Sequence, residues 1–156
     1  MMKKMKNSGF TLLELMVVIA IVAIMAAIAI PNYISWLPDR RLAAGAQDIL
    51  QGLQKSRSKA IVTNRRVVVN FNTGADSFIA FVDDDASGGL DAGELTVVSR
   101  NMPAGIDLVN TGFAGNSVTF DNRGIPITAV GTVTLQNSKG NTQVLEMFLS
   151  GHSVLQ

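Results

Sequence analysis

The sequence predicts an α+β protein in which one long N-terminal helix, half membrane segment and half amphipathic, packs on an antiparallel β-sheet head. Three observations lead there. Residues 10–30 are an apolar run broken only by Thr11 and Glu14. Residues 40–63 repeat apolar side chains at helical spacing. Beyond Arg66, short β-branched and aromatic segments alternate with clusters of Gly, Asn, Asp and Ser. A chain of 156 residues suits one globular domain. Its charged fraction of 16% stands against 47% apolar residues, an imbalance that points to a membrane segment and away from disorder.

Four stretches follow in order: 1–9, 10–38, 39–66 and 67–156. The net charge of +1 hides their segregation. Lys3, Lys4 and Lys6 make the first stretch basic, and Arg40, Arg41, Lys55, Arg57, Lys59, Arg65 and Arg66 outnumber Asp48 in residues 40–66. Residues 67–156 are acidic, with only Arg100, Arg123 and Lys139 as basic side chains. A basic rod with an acidic head suggests ordered contacts between copies.

Residues 10–30 are long enough, at about 1.5 Å per residue, to cross a bilayer core of roughly 30 Å. The preceding lysines should stay cytoplasmic, placing everything after Ile30 outside, and Tyr33 and Trp36 suit an interfacial aromatic belt. A cleaved secretory signal has a shorter apolar region and a small-residue cleavage site, whereas Pro31 and Asn32 follow here. A plain anchor does not account for Glu14, because an acid in a membrane helix is costly and is by default a functional candidate.

The stretch Ser8-Gly9-Phe10-Thr11-Leu12-Leu13-Glu14, with its lysine-rich leader and following apolar run, resembles the N-terminal signature of type IV pilins and type II secretion pseudopilins. The resemblance implies cleavage after Gly9 by a prepilin peptidase and N-methylation of Phe10. It also implies retention of the apolar helix as the core of a filament, with Glu14 as the assembly glutamate. The physics agrees: a glutamate unpaired in lipid loses most of its burial cost when it meets the α-amino group of a neighbour's Phe10.

Pro31 and Pro38, two helical turns apart, predict kinks or local melting, since each removes a helix hydrogen bond. From Arg40 the amphipathic pattern resumes: Leu42, Ala46, Ile49, Leu50, Leu53 and Ala60 on one side, Gln47, Gln51, Lys55 and Lys59 on the other. The helix should end near Thr63-Asn64, with Asn64 as a C-cap. Candidate strands follow at 67–72, 78–82, 95–100, 106–109, 117–121, 132–136 and 144–150, with Val154 and Leu155 suggesting a last pairing segment.

Within this half, Arg57-Ser58-Lys59-Ala60-Ile61, the acidic Asp/Gly loop at 81–94 and the phenylalanine strand with its Arg-Gly turn, Phe120 through Gly124, resemble the GspH/FimT group of minor pilins and pseudopilins.

The acidic loop runs Asp83-Asp84-Asp85-Ala86-Ser87-Gly88-Gly89-Leu90-Asp91-Ala92-Gly93-Glu94. Asp83, Asp85, Ser87, Asp91 and Glu94 stand at positions 1, 3, 5, 9 and 12 of a calcium-loop spacing, with Gly88 at the sharp turn. Calcium binding and a plain acidic turn both suit the stretch; its strand-like flanks exclude a paired EF-hand. No cofactor is otherwise required.

Absence of cysteine excludes disulfides and thiol chemistry, and a single histidine, His152, excludes multi-histidine metal sites. No nucleophile–base constellation appears, so the chain reads as no enzyme. Some FimT-type minor pilins bind DNA for uptake through a C-terminal Gly-Arg-x-Arg motif. Here that stretch is Gly151-His152-Ser153-Val154, without either arginine. Arg65 and Arg66 are the remaining candidate DNA contacts, and an acidic head repels phosphate.

The sequence therefore predicts a structural subunit of a type IV pilus or of a type II secretion pseudopilus, with DNA uptake as the alternative. The implied partners are other subunits through the N-terminal helix, prepilin peptidase and the inner-membrane assembly platform. The chain should be single-pass in the inner membrane, head in the periplasm, before entering the filament.

Overall fold

The computed structural model describes residues 10–127 and 131–156, so Gly9 and the basic leader lie outside the described residues. Two compact units emerge, Met1–Leu37 and Pro38–Gln156.

Helix α1 spans Leu12–Thr63. It opens on a capping box: the Thr11 hydroxyl accepts the Glu14 backbone N–H at 3.2 Å, and Glu14 Oε2 accepts the Thr11 N–H at 3.4 Å. The helix runs unbroken through Pro31 and Pro38, so the local melting predicted from the prolines does not occur. Each proline removes one N–H from the helical ladder, and the helix continues on both sides of it. At the other end Asn64 takes φ +52°, the Asn64 N–H reaches Ile61 O and the Arg65 N–H reaches Ala60 O. That pair of bonds is a Schellman cap, which an asparagine tolerates at left-handed φ.

In the first unit the large apolar side chains of α1 are exposed, from Leu12 to Trp36. This helix is long and apolar enough to cross a membrane.

The second unit holds the core. Strands β1 (Arg66–Asn72), β2 (Ser77–Asp83), β3 (Thr96–Asn101) and β5 (Ser117–Phe120) form one antiparallel sheet in the order β3-β2-β1-β5. Strands β4 (Ile106–Thr111), β6 (Gly131–Asn137), β7 (Thr142–Met147) and β8 (Ser153–Leu155) form a second, in the order β4-β6-β7-β8. Leu42, Ala46, Ile49, Leu53 and Ala60 of α1 share one buried cluster with Val67, Val69, Phe78 and Ala80 of the first sheet and Leu108, Val133, Leu135 and Leu145 of the second. Val68 faces Phe81 across the β1–β2 register, outside that cluster, and both are buried as well.

Two acids without a signal in the sequence tie distant pieces together. Asp76 accepts the Met102 N–H on its backbone carbonyl and the Leu108 N–H on its carboxylate, linking the β1–β2 turn to the second sheet. Asp39 accepts the side-chain amides of Asn137 and Asn141 at 2.8 Å each, with Lys139 Nζ at 3.4 Å, so the start of the helix within this unit is held to the β6–β7 turn.

Candidate functional site

The predicted residues fall into two groups, one in each unit. At the N-terminus, Phe10 and the apolar side chains that follow it are exposed, and Glu14 sits in the first helical turn. Its Oε2 is engaged with the Thr11 N–H and lies 3.5 Å from the Thr11 hydroxyl. The Thr11-x-x-Glu14 spacing carries this capping role in the sequence itself, beside the electrostatic role expected of the glutamate.

The second group is the loop joining β2 to β3. Asp83 closes β2 and Glu94 stands two residues before β3. A bond from the Val82 N–H to Leu95 O, 2.9 Å, continues the strand pairing and brings the two ends together. Asp83, Asp85 and Glu94 each present a carboxylate oxygen, and the three oxygens lie within 4.8 Å of one another. Loop amides hold the carboxylates in place. Gly88 N–H donates to Asp83 Oδ2 at 3.3 Å, Ser87 N–H to Asp85 Oδ1 at 3.0 Å, Asp84 N–H to Glu94 Oε1 and Asp91 N–H to Glu94 Oε2. Ser87 N–H is the main reason the Asp85 carboxyl lies below its usual range. Ala86, Gly88 and Gly93 take positive φ, which folds the loop back on itself. Ser87 and Asp91 are not in the three-oxygen group; the Ser87 hydroxyl donates to Asp91 Oδ2 at 2.8 Å.

Asp83 is the exceptional member. It is 4% exposed, and its Oδ1 is the buried side-chain oxygen that has no hydrogen-bond partner among the described residues. None of the three carboxylates joins an ion pair among the described residues, while the adjacent Asp84 takes both hydrogen bonds of Arg65, at 2.8 and 2.9 Å. Arg65, one of the two candidate DNA contacts, is thereby engaged; Arg66, the other, is exposed at the start of β1.

The structure also joins two motifs that are far apart in the chain. Arg57 and Ile61, near the helix end, lie against Gly124 of the Arg-Gly turn, and Asn122 donates to Asn64 Oδ1 at 2.9 Å. Arg57 Nη1 donates to Gly151 O at 3.2 Å, so the tail stretch compared with the DNA-uptake motif is packed on the helix. Gly151 itself would bring a Cβ within 2.8 Å of Gly124 O. His152 is exposed, with no nucleophile placed against it among the described contacts.

Comparison with known proteins accords with this architecture. The family profile described as type II transport protein GspH matches residues 45–151, and that of the prokaryotic N-terminal methylation motif matches residues 4–30. The pilin-like protein PilA1 of Thermus thermophilus is 28% identical over 160 residues, covering 97% of this chain and 100% of that one. The fold is similar to that of the type IV minor pilin FimU of Pseudomonas aeruginosa, with a TM-score of 0.59 at 18% identity over 76% of this chain and 90% of the other. It is also similar to that of the minor pseudopilin EpsH from the type 2 secretion system of Vibrio cholerae, with a TM-score of 0.57 at 12% identity over 74% and 96%.

Proposed function

The chain belongs to the GspH family of type II transport proteins, and from that membership we propose how it reaches and enters its filament. It is a structural subunit of a pilus or pseudopilus and not an enzyme. Prepilin peptidase cuts after Gly9, Phe10 is N-methylated, and residues 10–30 hold the subunit in the inner membrane with its head in the periplasm. The assembly platform then moves it into a type IV pilus or a type II secretion pseudopilus, where it contacts other subunits through the same helix.

The observation that carries this reading is the first half of α1. Its apolar side chains are exposed and find no cover within their own unit. In lipid that costs nothing, and in a filament the same surface packs against neighbouring helices. Glu14 is the one formal charge among residues 10–38. A neighbour's Phe10 amine, positively charged after cleavage, relieves its burial and sets the axial register of the helices.

Two measurements test the proposal. Intact-mass analysis of the cellular protein should give a chain beginning at methylated Phe10; a chain that still begins at Met1, or begins beyond Ile30, would sink the processing step. Glu14→Ala should insert into the membrane at least as well as the parent and assemble poorly. Filaments containing the variant at parental levels would refute the charge pairing.

A further inference from the structure

We propose that the loop between β2 and β3 is a calcium site, with Asp83, Asp85 and Glu94 as its ligands. This inference is independent of filament assembly.

The span of the cluster fits the ion. Calcium–oxygen distances are about 2.3–2.6 Å, so ligand oxygens on opposite sides of one ion stand roughly 4.6–5.2 Å apart. The three carboxylate oxygens lie within 4.8 Å of one another. Three carboxylates at that spacing repel one another unless a cation or a shared proton lies between them. Arg65 is bound to Asp84, and Arg66, the register partner of Asp83 on β1, forms no ion pair with the three carboxylates among the described residues.

Asp83 provides the second, separate observation. A buried carboxylate oxygen normally accepts a hydrogen bond, because leaving it without a donor costs the full desolvation of the group. Asp83 Oδ2 has its donor in the Gly88 N–H, while Oδ1 is buried without one among the described residues. An acidic turn shaped only by Asp and Gly preferences does not require a carboxylate at 4% exposure. A cation in the cluster meets the need of that oxygen.

The chemistry selects calcium. The donors are hard oxygens, and the chain has no cysteine and one histidine, which disfavours zinc and copper. Magnesium demands near-octahedral geometry at about 2.0–2.1 Å and gives up its water reluctantly. A twelve-residue loop with positive φ at Ala86, Gly88 and Gly93 adapts to the larger, less demanding ion. Bound there, the ion clamps the end of β2 to the approach to β3. Asp84, beside the site, carries that order to Arg65 at the helix end.

The test uses the full chain in detergent micelles. Titration calorimetry with calcium chloride should show one ion per chain with a Kd of about 10⁻⁴–10⁻³ M, the range of extracellular calcium modules. Saturating calcium should raise the Tm by about 5 °C over chelator. Asp85→Asn and Glu94→Gln, both outside the buried core, should abolish the binding and the shift; Asp107→Asn, an exposed acid elsewhere, should leave both intact. Absence of saturable binding up to about 10 mM, ten times the weak end of that range, overturns the proposal. Binding that survives in both loop variants, or magnesium binding of equal strength, overturns it too.

Discussion

At Gly124, φ is +73°, and an added methyl group would stand 2.8 Å from Ile61 Cδ1 and 2.9 Å from Arg57 Cγ. Glycine is required there twice over, for backbone conformation and for the close approach of the helix end. Gly124→Ala should therefore destabilise the second unit by about 1–3 kcal/mol, read as a lowered denaturation midpoint at unchanged slope. Glu14 offers a sharper residue-level test because its two roles separate. Glutamine keeps an oxygen for the Thr11 N–H and so preserves the helix cap, but it carries no charge. If pairing with a neighbour's amine drives assembly, Glu14→Gln should fail in filaments as Glu14→Ala does, while only the Ala variant frays the first turn by circular dichroism or amide exchange. Rescue of assembly by glutamine would assign Glu14 to capping alone.

Helix α1 is shaped for its sheet by what it lacks. Gly45 and Gly52 are buried and lie two turns apart. A Cβ at Gly52 would stand 2.4 Å from Phe78 Cε2 and 2.7 Å from Cζ, so the Phe78 ring fills the space that a side chain there would occupy. In an exposed helix Gly→Ala stabilises by about 0.8–1.0 kcal/mol, whereas overpacking a core costs about 1–3 kcal/mol. Gly52→Ala should therefore be net destabilising, and Phe78→Leu should recover part of the loss by removing ring atoms. An additive double-mutant cycle would mean that the two positions do not share the space. The anchor at Asp39 makes a second element-level prediction: Asp39→Ala removes the acceptor of the buried Asn137 amide and should lower the Tm by several degrees.

For the whole molecule, three carboxyls lie below their usual range. The causes are led by the Asn141 amide for Asp39, the Ser87 N–H for Asp85 and the Ile125 N–H for Asp121. Their folded pKa values lie below the unfolded value of about 3.9. The stability they add is present above that value and is lost as pH falls through the folded values. The Tm should hold level from neutral pH to about pH 4 and drop below it, and Asp121→Asn should flatten the drop. Charge also bears on DNA. Residues 40–66 are basic and 67–156 acidic, Arg65 is engaged by Asp84, and the packed tail has no arginine. Duplex binding by the full chain should be weak and fall steeply with salt in a mobility-shift assay. Tight binding that resists salt would restore the DNA-uptake reading.

Much of the fold was legible because its signals are local. The apolar run, the helical spacing of Leu42 to Ala60 and the left-handed cap at Asn64 are each decided within a few residues, and the β-branched segments fell within a residue or two of most observed strands. The expected strand at 144–150 is shorter: β7 ends at Met147, a turn closed by the Gly151 N–H to Phe148 O reverses the chain, and β8 follows with Val154 and Leu155. The spacing of the acidic loop was also visible in the sequence, but the convergence of three of its carboxylates was not. Nor was the division into two sheets, since β1 pairs with β5 about fifty residues away. By itself the sequence determined which segments are helix, strand or membrane-compatible, because periodicity and turn chemistry are properties of neighbouring residues. Only the tertiary structure decided which strands pair, that Arg57 meets Gly124, and that Asp83 is buried with an oxygen unpartnered, because those depend on long-range closure around one shared core.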